Sequence, residues 1–272
     1  MHICHICIGN QLRLSGTYRV MNRRTSHLFR CASAFGLLLC VALSNAQAAE
    51  KPIKLIELFT SQGCSSCPPA DELAGRMREA DKDLVLIEYH VDYWNSLIHG
   101  RDGNFVDPYS KPEYSDRQRL YNRVGLRGRP GVYTPQAVIN GRVAAVGSDK
   151  RRITKALNYE TRSIMSIDIA ASDNKSLTIK VTGSEADRAL AKGADVWLVS
   201  IIDKVQTEIT GGENRYKTLT NHHVATNVKR LGRVGTDADL SFRVAKPTGN
   251  NGCVVLIQGA ELNPVYAAAS CP

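Results

Sequence analysis

The stretch KLIELFTSQGCSSCPPADELAG, residues 54–75, joins an apolar run of strand length to a pair of cysteines two residues apart. Residues 54–59 predict a short buried strand, and residues 70–80 carry apolar side chains at helical spacing. Residues 84–91, LVLIEYHV, predict a second buried strand, and this strand, helix, strand order implies a right-handed crossover between parallel strands. We therefore expect the Cys64-Ser65-Ser66-Cys67 motif where a strand ends and a helix begins.

A cysteine pair at a helix start has the requirements of thiol–disulfide exchange, namely a thiolate, a second thiol and access to solvent. Because unpaired N–H groups at a helix N-terminus favour negative charge, the thiolate fraction rises there. Pro68 and Pro69 predict that the helix begins near Ser66 or Cys67. Asp71 and Glu72 would then compete with a thiolate for the helix dipole, which leaves open the question of which sulfur is more acidic.

Two structural interpretations of the motif compete with the redox one. A zinc site needs two further ligands, and Cys253 and Cys271 lack the spacing for them. The adjacent His222 and His223 point to opposite faces of a strand, so they do not chelate one ion. A permanently oxidised, inert disulfide is the stronger alternative. We expect no metal and no cofactor.

The N-terminus predicts export from the cytoplasm. Residues 1–48 contain five Arg and no acidic residue, residues 32–43 form a short apolar run, and residues 46–48 fit a signal-peptidase site. Met21 is the expected natural start, so residues 1–20 are interpreted as an over-extended gene prediction. The remaining chain has 30 basic and 26 acidic residues, which gives little reason to expect a nucleic-acid partner.

Cleavage after the signal leaves four cysteines, an even number that predicts two disulfides in an oxidising compartment. Cys253 and Cys271 enclose 17 residues, and we expect them to form a structural disulfide between the last two strands. The alternative is a second redox pair that exchanges electrons with Cys64 and Cys67.

The pattern of predicted elements divides the chain into two domains. Residues 50–162 combine strands and helices, including helices expected over 109–125 and 149–159 and a strand over 136–140. From residue 163 to 272, short strands separated by turn residues predict a small antiparallel β-sandwich. The predicted strands are 166–171, 176–182, 195–203, 217–229, 240–244, 253–258 and 264–269.

The chain resembles a secreted bacterial family known as domain of unknown function 1223. The resemblance lies in residues 56–71, which hold the cysteine pair, and in residues 90–95, 117–121 and 133–136. It extends over about residues 52–270 and implies a thioredoxin-like fold, an α/β domain with a mixed central sheet flanked by helices. The family has no settled activity, so the resemblance informs the fold more than the function.

The broader similarity to thioredoxins implies roles for individual residues. Cys64 is the expected attacking thiol and Cys67 the resolving one. Pro135 takes the position of a cis-proline that faces the motif, and Thr134 would pair with an extended substrate by strand addition. Glu57 lies near the position of a buried carboxylate that exchanges a proton with Cys67; a solvated or structurally paired Glu57 is the alternative.

The sequence also departs from ordinary thioredoxins. Ser-Ser stands inside the motif without a proline, Gly63 replaces the usual Trp, and residues 94–128 look like an insert. Tyr93 and Trp94 follow a parallel strand at the end where α/β sheets bind ligands, so we expect them to line a substrate cleft. The alternative is that Trp94 anchors the insert.

These patterns favour a periplasmic or secreted thiol–disulfide oxidoreductase. Its expected partners are protein or small-molecule thiols and disulfides, with no nucleic acid and no membrane span after signal cleavage. Two other functions stay open from the sequence. One is a secreted binding module in which the CxxC disulfide is inert, and the other is a copper-handling protein that uses the two thiolates.

Overall fold

The computed structural model describes residues 52–97, 105–159 and 162–272. The predicted leader and signal peptide, residues 1–48, lie outside this part of the chain. No helix within the described ranges has both the length and the apolar character that crossing a membrane requires. The strands are β1 (Leu55–Thr60), β2 (Val85–His90), β3 (Arg127–Gly128), β4 (Gln136–Ile139), β5 (Val143–Val146), β6 (Ser166–Asp173), β7 (Ser176–Thr182), β8 (Asp195–Glu208), β9 (Thr218–Arg233), β10 (Leu240–Ala245), β11 (Asn251–Gln258) and β12 (Val265–Ser270).

Five α-helices are described among these strands. They are α1 (Pro68–Ala80), α2 (Trp94–Leu97), α3 (Pro112–Val124), α4 (Lys150–Leu157) and α5 (Glu185–Leu190). The predicted helices over 70–80, 109–125 and 149–159 correspond to α1, α3 and α4. The short elements α2, α5, β3 and β5 were not predicted, because segments of two to six residues carry too few positions to show a period.

Nine strands form one mixed sheet in the order β12-β11-β8-β9-β2-β1-β4-β5-β3, and β10-β7-β6 form a separate antiparallel sheet. β1 runs parallel to β2 and antiparallel to β4, so the predicted parallel pair is confirmed. The predicted mixed α/β class is likewise confirmed. The cysteine motif follows the end of β1, and Thr134 and Pro135 come directly before β4. Because β1 and β4 are antiparallel neighbours, these two segments lie at the same edge of the sheet.

The second half of the chain contains all seven predicted strands, which correspond to β6 to β12. Four of them extend the large sheet, because β9 pairs in parallel with β2 through Glu88 and Val224. The other three pack against this extension through a buried cluster that includes Ile179, Val181 and Val255. The domain boundary at residues 162 and 163 stays a prediction, and strands from both sides of it share one sheet.

Helix α1 begins as the prolines predicted. Cys67 occupies the N-cap position, and proline stands in the first turn, where its missing N–H removes no helical hydrogen bond. One face of α1 packs on the β1 and β4 side through Ala70, Leu73 and Ala74. Another face meets β9 so closely that a Cβ on Gly75 would lie 2.5 Å from the His222 ring. A larger residue at position 75 would therefore force the His222 ring to move.

Helix α3, within the predicted insert, contributes to the main core. Tyr114 and Tyr121 are almost fully buried. The Tyr114 ring lies 5.1 Å from that of Tyr89, and the Tyr121 ring lies 6.1 Å from that of Phe59. The helix ends at Gly125, whose φ of +73° favours glycine. Because α3 supplies core side chains, the predicted insert is part of the hydrophobic core and not only a surface cover.

Candidate functional site

Cys64 and Cys67 form a disulfide, with their Cα atoms 5.4 Å apart, in the turn that leads into α1. The Cys67 N–H donates to the Cys64 carbonyl oxygen at 3.2 Å, and the Ala70 N–H donates to the Cys67 carbonyl at 2.8 Å. Both cysteines have 0% exposed surface, whereas Ser65 and Ser66 between them are exposed. The predicted solvent exposure of the sulfurs is therefore wrong for this conformation, and the disulfide lies one layer beneath the surface.

Two hydroxyl groups lie against the sulfur of Cys64. The Thr134 hydroxyl donates to Cys64 Sγ at 3.4 Å, and Ser66 Oγ lies at the same distance. Thr134 Oγ1 in turn accepts a hydrogen bond from Trp94 Nε1 at 2.7 Å. A hydroxyl that donates to sulfur stabilises a thiolate, so these contacts favour Cys64 over Cys67 as the attacking sulfur.

Pro135 also lies at the motif. The Thr134–Pro135 bond is cis, as predicted. A Cβ built on Gly147 would lie 3.0 Å from the side chains of both Ala70 and Pro135, so proline and helix start are neighbours. The Gly147 N–H also donates to the Pro135 carbonyl at 2.9 Å. The structure thus brings together Cys64, Cys67, Thr134 and Pro135.

An open cleft of about 450 Å³ adjoins this group. Tyr93 is fixed there by its hydroxyl, which donates to Gln118 Oε1 at 3.2 Å. Trp94 also packs against Phe105 and other apolar side chains, so it anchors the insert as well as facing the cleft. The structure is therefore compatible with both roles expected for Trp94, lining the cleft and anchoring the insert. The lining residues are Tyr93, Trp94, Arg119, Val132, Tyr133 and Thr134.

The loop between β8 and β9, residues 209–217, lies over the motif, and we call it the strap. Asn214 Nδ2 donates to the carbonyl oxygens of Gln62 and Cys64, each at 2.9 Å. The Ser65 N–H donates to Glu213 Oε2 at 2.9 Å. The sequence does not reveal this contact, since Gly211 and Gly212 are typical of a turn and no local pattern links residues 150 positions apart.

A cluster of buried ionisable side chains lies beneath the motif. Asp71, one helical turn after Cys67, accepts a hydrogen bond from Thr60 Oγ1 at 2.6 Å. His90 Nδ1 and Asp107 Oδ2 are 2.8 Å apart, and Asp107 Oδ2 also accepts from the Gln62 N–H at 2.7 Å. Glu88 accepts from the His222 N–H at 3.0 Å. Asp71, Glu88, His90 and Asp107 are each at most 2% exposed.

Burial and mutual charge shift the pKa values in this cluster. Burial raises the pKa of Asp71 to about 7, although the Thr60 hydrogen bond acts in the opposite direction. Burial, and then the Asp71 charge, raise the pKa of Glu88 well above its usual value. Burial alone would lower the pKa of His90, but the charge and hydrogen bond of Asp107 raise it. The cluster thus holds an ion pair beside two carboxyl groups that favour their protonated forms.

Glu57 does not join this cluster. It is fully buried in β1, and its carboxylate binds Arg117 Nε at 2.7 Å and the Tyr121 hydroxyl. Arg117 also donates to Gln258 Oε1 at 2.8 Å. Glu57 is therefore structurally paired, which was the alternative, and within the described chain no hydrogen bond links it to the motif. The predicted proton exchange with Cys67 has no supporting contact.

Cys253 and Cys271 form the second disulfide, which joins the start of β11 to the residue after β12. The Cys271 N–H also donates to the Cys253 carbonyl at 2.7 Å. This geometry agrees with the predicted link between the last two strands. In the part of the chain that the structure covers, no three His, Cys, Asp or Glu side chains are arranged to hold a metal ion.

Comparison with known proteins places the sequence in a family. The model of the family described as Protein of unknown function (DUF1223) matches residues 55–258. A crystal structure of a protein from Agrobacterium tumefaciens is similar, with 29% identity and a TM-score of 0.64. The similarity covers 82% of this chain and 96% of that one. No curated protein matches the sequence.

Proposed function

The chain belongs to the DUF1223 family of proteins of unknown function, and on this premise we propose that it is a thioredoxin-like thiol–disulfide oxidoreductase. The order β1, α1, β2 with an antiparallel β4 beside β1 supports the thioredoxin-like part. The motif lies between β1 and α1, with Cys67 at the N-cap of the helix, and Cys64 contacts Thr134 beside the cis Thr134–Pro135 bond. The enzyme would act in the periplasm or outside the cell, where two disulfides persist.

The observation that carries the redox proposal is the pair of hydroxyl groups on Cys64 Sγ. Thr134 and Ser66 both lie 3.4 Å from this sulfur. An inert disulfide gains little from hydroxyl donors, because its sulfurs are weak acceptors, whereas a thiolate gains a charge-assisted hydrogen bond. The surroundings of Cys64 thus suit a sulfur that becomes an anion during its working cycle.

The proposed reaction oxidises a substrate dithiol to a disulfide. One substrate thiolate attacks Cys64 Sγ, the Cys64–Cys67 bond breaks, and Cys67 leaves as a thiolate that takes up a proton. The second substrate thiolate then attacks the substrate sulfur of the mixed disulfide and releases the Cys64 thiolate. Two electrons pass to the protein, and a disulfide of a second partner protein or small molecule reoxidises it by the same exchange in reverse.

Asp71 is the residue we propose as the proton partner of Cys67. Cys67 is the N-cap of α1 and Asp71 lies four positions later in its first turns, where its N–H donates to the Cys67 carbonyl at 3.2 Å. Side chains four positions apart share a helix face, and they lean toward the N-terminus. Burial raises the pKa of Asp71 to about 7, so it can donate and accept a proton at neutral pH. Asp71 thereby takes the role that the thioredoxin resemblance implied for Glu57.

The second candidate is a binding module with an inert CxxC, and the burial of both cysteines favours it. Loop length argues against it. In the chain-entropy model a disulfide across three positions stabilises by only about 2 kcal/mol, against about 3 kcal/mol for a loop of 17 residues. A purely structural disulfide therefore stabilises the fold more at Cys253 and Cys271 than at Cys64 and Cys67, so stability alone is the weaker explanation for the disulfide of the motif.

Trapping of mixed disulfides tests the proposed function. In Cys67→Ala, Cys64 can still attack the disulfide of the partner that reoxidises the protein, but no Cys67 thiol is present to release that partner. The partner should therefore stay linked to Cys64 and appear as a reductant-sensitive adduct from the native compartment. Cys64→Ala/Cys67→Ala is the matched control and should give none. Absence of adducts from Cys67→Ala, in a protein that is folded and exported, would favour the binding module.

A further inference from the structure

The strap makes contacts with the motif that a surface turn does not need. Asn214 is fully buried, and its amide nitrogen donates both to the carbonyl of Cys64 and to that of Gln62, two residues before the motif. Lys217 Nζ donates to Asn214 Oδ1 at 2.9 Å and thereby fixes which end of the amide faces the motif. The base of the strap is closed by the Tyr216 N–H, which donates to the Ile209 carbonyl at 2.9 Å.

Glu213 acts on the motif from the same strap. Its carboxylate accepts the Ser65 N–H at 2.9 Å, directly after Cys64 in the chain. Backbone N–H groups near a helix start are the donors that stabilise an anion there. Glu213 occupies one of these donors and adds a negative charge beside the position where a Cys64 thiolate would form.

We propose that Glu213 and Asn214 are positioning residues of the redox site, through which the strap shields the disulfide and keeps the Cys64 thiolate disfavoured. A substrate would displace the strap by taking over the Ser65 N–H and the Cys64 carbonyl with its own backbone. The proposal rests on the proposed function, since it assigns a control of reactivity to the same cysteine pair. It attributes that control to the second half of the chain.

The sign of the effect follows from electrostatics. A carboxylate beside a thiolate disfavours the charged form of the sulfur, and salt screens the effect because Glu213 is exposed. Glu213→Gln keeps an acceptor for the Ser65 N–H and removes the charge. The reduced variant should therefore contain more Cys64 thiolate at pH 7 than the wild type.

The test measures the alkylation rate of Cys64 by iodoacetamide in protein whose motif has been reduced chemically. We expect Glu213→Gln to react severalfold faster at low salt, because a negative charge is removed next to the residue that follows Cys64, and this gain to shrink at 1 M salt. Glu208→Gln, which removes an equal charge from an exposed position at the end of β8, should react at the wild-type rate.

Asn214→Ala tests the shielding. In the oxidised protein it should speed reduction of Cys64–Cys67 by dithiothreitol severalfold, because the strap loses both hydrogen bonds that Asn214 donates to Gln62 and Cys64 and keeps only the contact of Glu213. Equal alkylation rates for Glu213→Gln and Glu208→Gln would overturn the proposal, as would an unchanged reduction rate in a folded Asn214→Ala. These measurements use chemical reagents only, so a failure to trap natural partners would overturn the oxidoreductase function and leave the strap result standing.

Discussion

Thr134 occupies a position at which one hydroxyl links the cleft to the sulfur, since it accepts from Trp94 and donates to Cys64. Thr134→Val keeps the shape of the side chain and removes that donor. We expect a smaller thiolate fraction and roughly 3- to 10-fold slower alkylation of reduced Cys64 at pH 7, the effect of about one hydrogen bond. Thr154→Val, on the exposed face of α4, is the control. Equal rates for the two variants would contradict the assignment.

Asp71 makes stability depend on pH. Its pKa is near 3.8 in the unfolded chain and about 7 in the folded protein. The folded protein therefore keeps a proton that the unfolded chain releases, so the contribution of Asp71 to stability falls as pH rises from about 4 to about 7. Asp71→Asn has no ionisable group at this position, so its stability does not fall with pH for this reason. The neighbouring Glu88, His90 and Asp107 remain in both proteins and titrate in both.

Denaturant unfolding at pH 5 and pH 8 checks this expectation. The stability of Asp71→Asn relative to the wild type should be higher at pH 8 than at pH 5. The exposed Asp116→Asn, on α3, should show the same relative stability at both. A relative stability of Asp71→Asn that does not change between the two pH values would show that Asp71 is already ionised at pH 5 in the folded protein.

The residues of the site differ in how far a sequence can reveal them. Cys64 and Cys67 form a local pattern with a direct chemical meaning, so the sequence itself predicts them, whereas Pro135 follows from the resemblance to thioredoxins and its cis bond is present. The role of Glu57 was likewise expected from the resemblance to thioredoxins, and the structure pairs Glu57 with Arg117 instead. Asn214 and Cys64 are brought together only by the folded chain, and neither neighbourhood signals the other.

Helix α3 is connected to β1 by the buried pair of Arg117 and Glu57. Arg117→Met would leave Glu57 buried with a charge and no cationic partner, so we expect a loss of about 3–5 kcal/mol in the free energy of unfolding. Arg76→Met breaks an exposed pair with Glu72 on α1 and should cost at most about 1 kcal/mol. A loss below about 1 kcal/mol for Arg117→Met, measured by urea unfolding, would contradict this account.

Helices and strands long enough to show a periodic pattern were predictable from the sequence, whereas the strands with which they pair were less so. The strands of the second half alternate clearly, as in β7, where buried and partly exposed residues follow one another. Their assignment to two different sheets depends on which strand edges meet. The sequence indicates no such edge, because the single pairing of Glu88 with Val224 that joins β2 to β9 involves backbone groups.

Across the whole molecule, the two disulfides should contribute unequally to stability. Cys253→Ala/Cys271→Ala opens a link across 18 positions and should cost about 3 kcal/mol in the free energy of unfolding. Cys64→Ala/Cys67→Ala should cost about 2 kcal/mol or less, since its loop is short. Chemical denaturation of both variants provides the comparison. A larger loss from the motif variant would identify the motif as a structural staple.

The reduction potential of Cys64–Cys67 is the measurement that tests the central claim most directly. It is obtained by equilibrating the protein with dithiothreitol redox buffers while the Cys253–Cys271 disulfide is followed separately by mass spectrometry. An exchange-active pair should have a potential clearly above about −300 mV, in the range of proteins that transfer disulfides. A potential below about −300 mV, as in structural disulfides, would contradict the oxidoreductase account.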